Sequence, residues 1–285
     1  MKWIFGAVII LWAHLISAEM PVLVSGVIAP VSSLVKQIGG ASVRVITLVP
    51  PGSSPHVYEP SPMAVRGLRR ASVAVTIGNL GLTVAQPDHL KALAPSIRVV
   101  DITDGETLLD DDDHGHGHGH VHSGNPHVWM SPVIMSHQVG EIADALAKTN
   151  PKEAVVYRRR ADQLSQQFAR LVDRYRARFS RQNVVVIVVH PSLTYLARDI
   201  GFTQMAIETH GKLPSVFQLR QIIATAKKSR RCVIVLQPQY GRDLVEVVAR
   251  QTGTPVIDAD IYRADYPANI ERLLDQILEA TASRH

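Results

Sequence analysis

From Lys152 to Gln182 the chain runs for about 30 residues without a glycine or a proline. Val156, Leu164, Phe168, Leu171 and Tyr175 recur along it three, four or eight residues apart, and the other face is charged. One apolar stripe of that period is an amphipathic helix, longer than the usual globular helix. The heptad is not sustained, so the pattern favours a rigid bridge between two lobes over a two-stranded coiled coil.

Both flanks of this helix carry the same rhythm. Before it, PVLVSGVI (Pro21 to Ile28), SVRVITLV (Ser42 to Val49), ASVAVTIG and SIRVVDI read as strands, with SSLVKQIGG and PMAVRGLRRA as helices. Ser131 to Lys148 reads as a further helix, with Ser131 as N-cap and Pro132 in its first turn. After it, NVVVIVVH (Asn183 to His190), FTQMAIE, CVIVLQ and TPVID read as strands. They alternate with helices at SLTYLARDIG, SVFQLRQIIATAKKS, RDLVEVVARQTG and Pro267 to Ala280. The expected fold is α/β, with two lobes, each a mainly parallel sheet flanked by helices, joined by one long helix. The expected boundaries are residues 19–150 for the first lobe, 151–182 for the linking helix and 183–285 for the second lobe.

The opening MKWIFGAVIILWAHLISAEM has the form of a secretory signal, with Lys2 before an apolar run from Ile4 to Leu15 and small residues at Ser17 and Ala18. The run falls short of the roughly 20 residues that span a bilayer. Residues 1–18 are therefore expected to be removed, and no cysteine follows them to carry a lipid. Export to a periplasm, without a stable membrane anchor, is the expectation. The single cysteine, Cys232, sits in an apolar strand, so an intramolecular disulfide is excluded. The formal net charge of +5 is scattered and only 5% of residues are aromatic, which gives no platform for nucleic acid.

Histidine is the unusual component. Residues 110–124 hold acid, glycine and histidine almost alone, a low-complexity stretch expected to be a mobile solvated loop. His114, His116, His118, His120 and His122 in it are expected to form a weak accessory metal site, because ordering such a loop costs entropy. Three other histidines stand apart. His56 lies after the strand ending at Val49, His127 after the strand ending near Val100, and His190 at the end of the strand that begins at Val184. Asp258 follows the strand Pro255 to Ile257. All four fall beyond the carboxyl edge of parallel strands, where open α/β sheets bind ligands. Three imidazoles and a carboxylate suit Zn2+, although nickel, cobalt and copper also accept imidazole. Asp260, Glu59 or a water are alternatives to Asp258 as fourth ligand. His89, His137 and His285 read as surface residues, and His210 as a cleft or loop residue.

PPGSSPHVYEPSP (Pro50 to Pro62), NPHVWMSP (Asn125 to Pro132), HPSLTYLARDIG (His190 to Gly201), ETHGKLPS (Glu208 to Ser215), LQPQY (Leu236 to Tyr240) and VIDADIYRADYPANIERLL (Val256 to Leu274) recur in this order in one family. Through them the chain resembles the periplasmic, metal-binding subunit of high-affinity zinc ABC importers. These are solute-binding proteins with a single inter-lobe helix. The resemblance implies His56, His127 and His190 as ligands and Asp258 as the last acidic position. It also implies an ABC permease of the inner membrane as partner; the chain is expected to be a monomer, and the long helix to limit the lobes to a small motion. Ser54 and Asn125 stand where such proteins often carry an aspartate before Pro-His. Manganese-type members tend to have a carboxylate at the position of His190, so a third imidazole favours zinc over manganese; a manganese or nickel importer is the alternative within the family. Three histidines with an open fourth position are also a hydrolase pattern, but no HExxH is present, and the chain is expected not to be an enzyme.

Overall fold

The computed structural model describes residues 20–110, 124–208, 212 and 214–282. The expected signal segment, the five histidines from His114 to His122, His210 and His285 lie outside the described residues.

In chain order the elements are β1 (Val22–Gly26), α1 (Ala29–Gly39), β2 (Val43–Thr47), α2 (Pro62–Leu68), β3 (Val73–Thr76), α3 (Pro87–Leu93), β4 (Arg98–Asp101) and α4 (Pro132–Thr149). They continue with α5 (Ala154–Phe179), β5 (Val185–Val188), α6 (Thr194–Ile200), β6 (Thr203–Ala206), α7 (Val216–Lys228), β7 (Cys232–Leu236), α8 (Asp243–Thr252), β8 (Val256–Asp258) and α9 (Ala268–Ala282). The strands form two four-stranded sheets, ordered β2-β1-β3-β4 and β6-β5-β7-β8. Every pairing in them is parallel. The two halves thus share one topology, and all strand carboxyl ends within a sheet point the same way.

Parallel strands in the middle of such sheets are covered on both faces and need unbroken apolar sequence. β3, β5 and β7 are buried along their whole length, which is why VAVT, VVIV and CVIVL carry no charge. Alternate residues of β5 and β7 then join different cores. Val186, Val188, Val233 and Val235 face a cluster that runs through α5 into the first lobe. Val185, Ile187, Cys232 and Ile234 face Ile222 and Ala226 of α7 and Val245 and Val248 of α8.

The helix α5 ties the halves together. It has 26 residues, about 39 Å at 1.5 Å per residue. Its first half docks on the first lobe, where Tyr157 meets Ser42 at 2.8 Å and Arg160 donates to the Ile38 carbonyl at 3.0 Å. Its second half docks on the second lobe. There Tyr175 donates to the Glu271 carbonyl at 3.1 Å, and the Phe179 ring packs 5.7 Å from Phe202. Helix α5 begins two residues later and ends three residues earlier than the sequence pattern spans, because Pro151–Glu153 forms a 3-10 turn and the ladder stops at Phe179. Helix α4 starts as expected, with Ser131 Oγ accepting from the Ile134 N–H at 3.0 Å. The buried Asp199 of α6 supports this terminus from the other lobe. Its carboxylate accepts from Ser131 Oγ at 2.5 Å and from the Val133 N–H at 3.1 Å.

Candidate metal centre

The first imidazole is lifted out of the β2–α2 connection by two successive turns. Ser53 N–H donates to the Pro50 carbonyl at 3.2 Å, and Val57 N–H to the Ser54 carbonyl at 3.3 Å. Prolines at 50, 51 and 55 stiffen this segment, and His56 sits at its tip. The second lies ahead of α4, in the segment from Gly124 to Ser131. His127 opens the 3-10 turn Val128–Met130, is fully buried, and lies 5.1 Å from the Trp129 ring. The third, His190, lies two residues beyond β5 in the second lobe.

These three rings meet. Their centroids are 5.3 Å (His56–His127), 5.4 Å (His56–His190) and 5.0 Å (His127–His190) apart. One ligand nitrogen from each lies within 4.8 Å of the others. His56 Nε2 and His127 Nε2 are 3.4 Å apart. Two nitrogens of a tetrahedral ion at 2.0–2.1 Å are separated by about 3.3 Å, so this edge already has the span such an ion needs. Burial, and then the neighbouring His190 charge, lower the His56 pKa to about 4 and hold that of His127 well below its ordinary 6.5. Much of His56 is exposed, but its inward nitrogen is the one between the other rings. His56 and His127 are thereby held neutral, the state a divalent cation requires of imidazole ligands.

The fold and the trio can be set beside known proteins. The profile of the family described as zinc-uptake complex component A, periplasmic, matches residues 24–280. The chain belongs to that family. The zinc-binding lipoprotein AdcA of Streptococcus pneumoniae is 28% identical over 234 residues, 79% of this chain, and the match spans 46% of AdcA, about half the length of that relative. The high-affinity zinc uptake system protein ZnuA of Bacillus subtilis is 26% identical over 79% of this chain and 73% of its own length. A zinc-bound crystal structure of a ZnuA deletion mutant superposes with a TM-score of 0.82 at 29% identity, covering 92% of this chain and 98% of the other.

Within this zinc-uptake family member, the remaining residues singled out from sequence fall elsewhere. Asp258 is the last residue of β8, but its carboxylate is 66% exposed and paired with Arg242 at 2.7 Å, outside the histidine trio. Asp260 accepts from the Tyr262 N–H at 2.9 Å and from Gln239 at 3.4 Å, and Glu59 is exposed. Neither joins the trio. His89 is exposed, and His137 is mostly exposed beside Glu106.

A carboxylate does touch the trio, from a position not given a role in the sequence reading. Glu208 Oε1 lies 2.7 Å from His190 Nδ1. Strand register explains it. β5 and β6 pair at a constant offset of 18 residues, from Val185↔Thr203 to Val188↔Ala206. The ladder continues through Glu208 N–H to the Val189 carbonyl at 2.9 Å, which sets residue 208 beside residue 190. The carboxylate accepts the Nδ1 proton and so presents Nε2 as the ligand nitrogen. On the other side, the Tyr240 ring stacks on His190 at 5.8 Å and 18°. Burial drives the Tyr240 phenol above its ordinary range, so it stays neutral and packs against the imidazole.

Proposed function

We propose that the chain is a periplasmic solute-binding protein that captures Zn2+ between His56, His127 and His190 and delivers it to an ABC permease in the inner membrane. The observation that carries this is the convergence of three ligand nitrogens within 4.8 Å, drawn from three connections and from both sheets. Membership of the zinc-uptake family and the likeness to a zinc-bound ZnuA support the choice of ion. An all-imidazole trio, with no carboxylate among the described residues within it, also favours zinc over manganese, which prefers oxygen ligands.

In this reading the fourth position belongs to water or to a group on the permease side rather than to Asp258. The site works by capture, not catalysis. Neutral imidazoles on loops anchored at strand ends bind with little reorganisation. Helix α5, docked on both lobes, restricts their relative motion to a small adjustment. Residues 19–150 and 183–285 act as the two lobes, and a single chain holds the whole site, so a monomer suffices. Competition titration against a chromophoric chelator across first-row metals tests the reading. Zinc is expected to be held far more tightly than manganese, with one tight ion per chain and no ester or peptide hydrolysis. Manganese preference, or turnover, overturns it.

Asp258→Ala is expected to leave zinc affinity within about twofold, because an exposed ion pair contributes at most ~1 kcal/mol and does not touch the trio. A tenfold loss in the same titration makes Asp258 a ligand after all.

The histidine run from His114 to His122 we assign, on sequence alone, to weak exchangeable binding. Its stems are closed independently of it. Asn125 N–H donates to the Leu109 carbonyl at 2.6 Å, Leu109 N–H donates to Tyr195 Oη at 3.1 Å, and Asn79 donates to the Gly124 carbonyl at 3.0 Å. Replacing residues 111–123 with a short Gly-Ser bridge is expected to keep the single tight ion, with affinity changed by no more than about twofold. Only the weaker stoichiometry falls. Loss of the tight ion in equilibrium dialysis contradicts this division of labour.

A further inference from the structure

We propose that Asn125 is a positioning residue that sets the His127 ring and couples it to the His190 segment, an inference that rests on the zinc site proposed above. Asn125 is fully buried, as is His127. Its Oδ1 lies 2.8 Å from the His127 backbone N–H and 2.8 Å from His127 Nδ1. The backbone N–H can only donate, so the atom facing it is the amide oxygen and the orientation of the side chain is decided. An amide oxygen carries no proton. The ring nitrogen at the same oxygen must therefore bear one, which makes His127 the Nδ1–H tautomer and leaves the lone pair on Nε2, the nitrogen 3.4 Å from His56 Nε2.

The other half of the same amide reaches the second lobe. Asn125 Nδ2 donates to the Pro191 carbonyl at 2.9 Å and to Thr194 Oγ1 at 3.2 Å. Pro191 is the residue after His190. One side chain thus spans from the His127 ring to the peptide that follows His190, with both acceptor sites and both donor hydrogens in use. The Asn125 carbonyl accepts from Tyr195 Oη at 2.8 Å, which fastens its backbone to α6 as well. Aspartate can serve the ring, but it has no hydrogens for Pro191 and sets a negative charge against that carbonyl. Alanine supplies neither half. Asparagine alone among residues of this size satisfies both, and it is the side chain that joins the His127 ring directly to the peptide after His190.

The tests read the ring and the ion separately. In the wild-type apo protein, long-range 1H–15N correlation of the imidazoles is expected to show His127 as the Nδ1–H tautomer; an Nε2–H tautomer overturns the proposal without any variant. Asn125→Ala and Asn125→Asp are both expected to weaken zinc by about 10- to 100-fold, the usual scale for groups that hold a ligand from behind. Co2+ substituted in the site is expected to show shifted and weakened visible bands in both variants. Affinity and Co2+ spectrum matching wild type in Asn125→Asp refute the link to Pro191, and unchanged values in Asn125→Ala refute the positioning role altogether. If wild-type protein binds neither Zn2+ nor Co2+ through the trio, the site assignment itself fails, and the tautomer measurement still judges Asn125.

Discussion

His190→Ala is expected to abolish tight zinc binding while leaving the fold in place. Structural zinc sites built from a full ligand set are worth roughly 10–16 kcal/mol. One of three or four ligands therefore carries about 3 kcal/mol or more, beyond a hundredfold in affinity. The ring is also the one of the trio contributed by the second lobe, so its loss leaves, among the described residues, no ligand from that lobe to join His56 and His127 across the cleft. The apo fold should tolerate the change. His190 is partly exposed, its ring lies against Glu208, the Tyr240 face and the other two imidazoles rather than in a hydrophobic core, and the buried strand β5 ends two residues before it. Two measurements separate the effects. Thermal melting without metal is expected to match wild type within a few degrees, whereas the rise in melting temperature on adding zinc is expected to vanish, since that rise follows ligand concentration over Kd. A variant that melts normally and still gains wild-type stabilisation from zinc removes His190 from the site.

Much of this architecture was open to a reader of residues. Strands β5 and β7 announce themselves because a parallel strand buried on both faces admits no charge. His190 was legible for the converse reason: a lone histidine after such a run is a polar group that needs a partner, whereas His56 and His127 were read from their place beyond strand ends and from the motifs around them. Helix α3 escaped because it is one short segment with a single buried residue, Leu90, and so carries no stripe. Partners set by tertiary distance escaped too. Asp258 looked like a ligand from its place at a strand end, yet Arg242, at the start of α8, holds its carboxylate. Glu208 looked unremarkable, yet an 18-residue strand register lays it against His190. Position along a strand is written in local pattern. Which side chains face each other across strands depends on register, and no local pattern in this chain encodes the 18-residue offset.

Protonation of His56 and His127 is expected to take nothing from zinc affinity between pH 7.5 and about 5.5 and to cut it steeply towards pH 4. Protons compete only where a ring would accept them, and an imidazole of ordinary pKa would begin to lose metal already near pH 6.5. Here burial comes first, and the charge of a neighbouring ring second, in lowering His56 to about 4 and His127 well below 6.5. Once the pH passes below a ring's own value, each further unit costs up to tenfold in affinity for that ring, and His56 and His127 act together. Fold stability without metal follows a different course. The unfolded chain takes up protons on these histidines below about 6.5 while the folded chain does not, so apo stability falls as pH drops from 6.5 towards about 4, the His56 value. The buried His127 contributes at most ~1.4 kcal/mol per pH unit across that window, and the more exposed His56 less, because solvent screens it. At pH 5.5 the prediction becomes selective: the tight ion is retained, whereas ions held by imidazoles of ordinary pKa are released. Competition titration from pH 7.5 to 4, with melting of the metal-free protein in the same buffers, measures both curves. A fall of much more than tenfold between pH 7 and 6 exceeds what one ring can cause; protons then reach His56 and His127 as they reach free imidazole, and a dry, neutral pair is the wrong description of the site.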